Sequence, residues 1–225
     1  MTRAGPAAGF LLCLLWAPMA LAVPGFPDLG SVEAVVGYWS TDLALVQAVV
    51  LSVSVGYLPL LVFLGALAAR LGADPAVRAW SWTAVGAALV FMTALNVAIG
   101  LVVAAGLVAA ADPASAYALH VGGFVLAAPA AFAGVAFFVA VAVVAFASDV
   151  LPRWSGWVAL AGVVANVGAV GGVATLTGPW NSGNGVIGGI AAPLGLFVVW
   201  ILAVSVWWWR EPVCAPAQGD AVRQC

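Results

Sequence analysis

Charge is what this chain has least of. Only 6% of its 225 residues are Asp, Glu, Lys or Arg, and all six basic residues are Arg. Soluble domains carry about 25% charged residues, so lipid rather than water must solvate most of this surface. Histidine occurs once and cysteine three times, and Cys13, Cys214 and Cys225 form no Cys-x-x-Cys pair. This argues against a zinc site and against a disulfide framework. There is no P-loop, dinucleotide fingerprint, His-Glu-x-x-His or Gly-x-Ser-x-Gly, so neither a cofactor nor a catalytic residue is expected. The six arginines form no basic patch, and nucleic acid is not an expected partner.

Apolar residues are abundant, at 66% of the chain with a mean hydropathy of +1.20. A span needs about 20 apolar residues, and charges bracket six such runs, at about 6–23, 43–69, 79–107, 121–148, 154–176 and 186–209. The expected fold class is therefore all-α: one polytopic bundle of about six transmembrane helices over residues 1–212, with a disordered tail at 213–225. No Asp, Glu, Lys or Arg falls inside a span, which lowers the case for a proton-coupled carrier. In "APMALAVPG", Ala20 and Ala22 have signal-peptidase spacing. The uncharged run from Ala4 to Pro27 is nonetheless long enough to span, and the expectation is a retained first helix.

Arg3, Arg70, Arg78, Arg153, Arg210 and Arg223 all fall on one side of this arrangement, and the opposite loops carry only Asp28, Glu33, Asp42 and Asp112. By the positive-inside tendency the arginine side is cytoplasmic, which puts both termini there and the protein in the plasma (inner) membrane as a multi-pass chain. Trp80, Trp82, Trp154, Trp157 and Trp207–Trp209 cluster at the same interface, while Tyr38, Trp39 and Trp180 fall in outer loops. The first outer loop contains "SVEAVVGYW", which reads as a short helix on the membrane surface. Gly168 and Gly172, then Gly185 and Gly189, are Gly-x-x-x-Gly pairs. They point to a close hairpin of helices five and six.

The segment "ASDVLPRWSGWVALAGVVANV" is the most distinctive. It resembles a Leu-Pro-Arg-Trp-x-Gly-Trp signature of small six-span bacterial membrane proteins from domain-of-unknown-function families, and the ends of the chain are similar to theirs. The resemblance implies about six helices with the first retained and brings no catalytic residues. On physical grounds Pro152 starts a helix, where its missing N–H is harmless. Arg153, Trp154 and Trp157 are candidate headgroup and interface anchors.

Heights counted at about 1.5 Å per residue place Ser54, Tyr57, Thr93, Asn96 and Asn166 in one layer, about 18–24 Å above the arginine interface. They are the candidate lining of a polar pocket between helices two, three and five, with interhelical hydrogen bonding as the plainer reading. By the same count His120 lies about 42 Å up, in water or headgroups. Pro129 is expected to kink its helix. The expected function is non-catalytic binding of lipid, a small apolar ligand or a membrane partner, homo-oligomerisation included. A small uncoupled permease is the alternative, and a membrane enzyme is third.

Overall fold

The computed structural model describes residues 3–22, 25–27, 29–72 and 74–211, without the side chains of 20–22 and 41–43. The expected disordered tail lies outside the described residues. The described chain is all-helical: α1 (Ala4–Ala22), α2 (Val32–Leu71), α3 (Arg78–Val108), α4 (Pro113–Ala147), α5 (Arg153–Val170) and α6 (Ala191–Arg210), with 3-10 turns at Pro75–Val77 and Gly171–Ala174. Five segments are long and apolar enough to cross a membrane: Ala44–Leu71, Pro75–Val108, Pro113–Ala147, Arg153–Ala174 and Ala191–Arg210. α1 is a shorter apolar helix.

Three boundaries differ from the expected ones. "SVEAVVGYW" is not a separate surface helix but the start of α2. Ser31 caps that helix by accepting the Ala34 N–H, Glu33 sits in its first turn, and it runs for 40 residues. At 1.5 Å per residue this is about 60 Å, twice the hydrocarbon thickness. α4 begins at Pro113 rather than 121, where Asp112 caps it. The Asp112 carboxyl lies below its usual range because the Ser115 hydroxyl and backbone N–H both donate to it. α6 begins at Ala191 rather than 186, and the preceding stretch is an ordered non-helical loop.

Each helix packs on its sequence neighbours, and α6 closes back onto α1, making a ring. α3 shows how residue size sorts the faces. Ser81, Ala84, Ala88, Phe91, Leu95, Ala98, Val102 and Ala105 are buried at helical spacing, while Leu89, Val90, Val97 and Leu107 face outward. In lipid both faces are apolar, so small side chains mark the inner one by letting backbones approach. A Cβ on Gly123 of α4 would stand 2.8 Å from the Ala98 carbonyl oxygen of α3. α4 continues through Pro129 as one helix.

α1 is part of the core. Trp16 is fully buried and donates its indole N–H to the Val53 carbonyl at 3.2 Å, and Ser52 donates to the Leu15 carbonyl at 2.8 Å. Trp16 also packs against Phe197, which meets Phe91, Phe137 and Phe138, while Phe137 meets Trp200. Large aromatic area buried mid-bundle supplies packing that lipid exclusion alone does not.

Candidate functional site

The two ends of the ring differ in chemistry. At one end Arg70, on the last turn of α2, forms a two-pronged ion pair with Glu211, both bonds 2.6 Å, and donates to the Val150 carbonyl at 3.3 Å. Its guanidinium lies over Trp207 and Trp208, 4.6 and 5.3 Å from the ring centroids, while Arg3 covers Trp209 at 4.9 Å. The sequence marked Arg70 only as one of the arginines on one side of the bundle. It is also the tie between α2, the α4–α5 connection and the end of α6. Arg153 and Trp157 are exposed and Trp154 is partly so, with Trp157 edge-on to Phe146 at 5.3 Å.

The five-residue polar layer does not converge. Ser54, Thr93 and Asn96 are on exposed faces, and the first two donate back to their own helices, to the Val50 and Leu89 carbonyls, both at 2.8 Å. Tyr57 donates to the Met92 carbonyl of α3 at 3.2 Å. Asn166 is buried against Gly134 of α4 and donates to the Gly162 carbonyl at 2.8 Å. Equal height does not give equal azimuth: Ser54, Thr93 and Asn166 bond within their own helices and Tyr57 bonds across one helix contact.

The opposite end holds what the height count placed in water. His120 is 0% exposed, and neither ring nitrogen has a hydrogen-bond partner among the described residues. Its helix and α2 both extend beyond a bilayer's thickness, so protein rather than solvent surrounds it. The imidazole is boxed edge-on by Phe124, one turn along α4, at 5.1 Å, by Trp39 of α2 at 5.8 Å and by Phe26 at 6.2 Å. Trp39, expected in an outer loop, is 2% exposed, and its indole N–H is also without a partner among the described residues. Phe26 further touches Phe124 at 5.2 Å and Tyr38 at 5.6 Å.

A built cover closes this end. Tyr117 donates to the Leu29 carbonyl at 2.8 Å, and Asn184 donates to the Phe26 carbonyl at 3.1 Å. The loop carrying Asn184 is organised by Asn181, whose side-chain oxygen accepts from the backbone N–H groups of Gly183, Asn184 and Gly185 and whose amide donates to Gly178. The two Gly-x-x-x-Gly pairs serve this loop rather than a helix hairpin. Gly168 approaches the Ile187 carbonyl and Gly172 that of Gly188, whereas Gly185 and Gly189 lie within the loop itself.

Directly beneath the aromatic box is an apolar cavity of about 50 Å³. It lies between Met19 of α1, Val46 and Val49 of α2, Leu95 and Ala98 of α3 and Ala127 of α4, and Phe26, Tyr38 and Phe124 form its roof. No charged side chain lines it among the described residues. Its wall includes Leu45, 60% exposed on the outer face of α2, so the cavity reaches the lipid-facing surface. The volume exceeds the ~10–15 Å³ a water needs and is about a third of the ~150 Å³ that accommodates benzene. It has room for a stretch of alkyl chain. The sequence carried a signal for the roof in Tyr38-Trp39 and His120-x-x-x-Phe124, but none for the cavity. No protein-family model, no curated protein and no solved structure matches this chain.

Proposed function

We propose that this protein is a six-span plasma-membrane protein with both termini cytoplasmic, and that it binds a lipid or other small apolar ligand without catalysis. The observation that carries the binding reading is the uncharged cavity between α1, α2, α3 and α4 with its lateral exit at Leu45. Supporting the six spans is the burial of Leu12 and Trp16, which makes α1 a core helix. The orientation rests on the gathering of Arg3, Arg70, Arg153 and Arg210 at one end. A membrane partner or second copy of the chain remains a separate reading with no surface that singles it out. The permease alternative needs a passage from the cavity to the arginine end. Phe91, Phe137 and Phe197 occupy that half of the bundle.

Native mass spectrometry of detergent-purified protein tests the reading. A lipid-sized adduct is expected on the wild type and is lost in Val49→Phe, which fills the cavity. An adduct equally retained by a folded Val49→Phe variant, or none on either protein, would refute it. The intact mass from the same spectrum reports whether the first helix is kept.

A further inference from the structure

We infer that the cavity ligand is an uncharged amphiphile whose hydroxyl or carbonyl head reaches His120 and Trp39 while its alkyl chain leaves past Leu45. This rests on the binding reading above and specifies the ligand's chemistry.

Two side chains in one box, His120 and Trp39, are almost fully buried and hold three ring nitrogens without partners among the described residues. A neutral imidazole offers one donor and one acceptor, and an indole one donor. Burying such groups unpaired is unfavourable, and native proteins leave few of them so. The other buried polar atoms without partners, on Asn166, Ser182, Ser205 and Trp208, do not border the cavity. His120 and Trp39 are one ring away from it, because Phe26 and Phe124 both line the cavity and both pack on the imidazole.

Phe26 is the separating ring that can move. Phe124 and Tyr38 are fixed on helices, whereas Phe26 lies on the connection between α1 and α2 and is held through its carbonyl by Asn184. Rotating its side chain leaves that bond intact and joins cavity to box. An uncharged head fits the described lining, which is apolar and offers a charge nothing to offset its desolvation. A slender tail suits the cavity's volume of about 50 Å³. The remainder of a longer chain lies in the bilayer beyond Leu45. The ligand class is thus a long-chain alcohol or a neutral lipid bearing a free hydroxyl or carbonyl.

His120 is the only histidine, so ¹⁵N-histidine labelling gives one imidazole to observe in the full-length protein in nanodiscs. Titration with 1-dodecanol should move its ring ¹⁵N resonances, and n-dodecane should not. By mass spectrometry the wild type should bind 1-dodecanol about fivefold tighter than His120→Phe does, the worth of one net hydrogen bond. Both should bind n-dodecane equally. Comparing one probe between two proteins cancels its partitioning into lipid. If His120→Phe does not fold, Trp39→Phe carries the same comparison. Equal dodecanol affinity in both proteins with an unmoved resonance, while dodecane still binds, overturns the head assignment and leaves the apolar cavity standing. Binding of neither probe overturns both.

Discussion

The arginine end and the histidine end of this bundle handle buried polarity in opposite ways. Around Arg70 the charges are matched, by two charge-assisted bonds to Glu211, one to Val150 and two indole faces, while the Trp208 indole N–H has no partner among the described residues. Around His120 the polar atoms are enclosed by aromatic edges and left unmatched, next to an apolar space open to lipid. A matched ion pair holds helices together and offers a ligand no unpaired charge. An unmatched cluster weakens the empty fold and strengthens any complex that supplies the missing partner. On this difference rests the proposed division into a structural end and a binding end.

Substitutions should separate the two ends, and the largest effect is expected in the cover over the histidine end. Asn181→Ala strands three backbone N–H groups and should lower unfolding stability by about 3 kcal/mol, with Phe26 losing its Asn184 tether. Chemical denaturation in detergent measures this, and wild-type stability would show that the cover is not held as described. Next, Arg70→Met should lose about 2 kcal/mol, as expected for charge-assisted bonds at a partly buried pair. A salt-insensitive, unchanged transition would demote the pair to an ornament of the surface. His120→Phe should go the other way, leaving stability unchanged or raising it by about 1 kcal/mol, because it removes desolvated polar atoms and keeps the ring contacts. A clear loss there would mean that His120 has a structural partner. Last, Asn96→Leu should stay within about 0.5 kcal/mol, as a surface change touching no network. Asn166→Leu, buried against Gly134, should be plainly worse in the same thermal scan.

The arginine end was largely legible in the sequence. Charges in an apolar chain are few and their sidedness is a one-dimensional property, so sorting Arg3, Arg70, Arg78 and Arg153 required no tertiary knowledge. That Arg70 would find Glu211, 141 residues away, was not readable, because it depends on α6 closing the ring. The histidine end was misread for a different reason. Counting height from the arginine interface treats the bilayer edge as the protein edge. α2 begins at Val32 and α4 at Pro113, so protein continues where water was assumed. The polar layer failed on angle rather than height. The hydroxyls of Ser54 and Thr93 are satisfied four residues back on their own helices, which no spacing rule distinguishes from pocket lining. The glycine pairs correctly marked close backbone approach, but the partner was an asparagine-organised loop.

The most direct test sets the two ends against each other in one assay: the rise in Tm produced by 1-dodecanol in wild type, Arg70→Met and His120→Phe. Arg70→Met should start lower and rise as far as the wild type, since its binding end is intact. His120→Phe should start at or above the wild type and lose most of the rise. A full rise in His120→Phe, or a rise abolished by Arg70→Met, would contradict the division of the molecule into a structural end and a binding end.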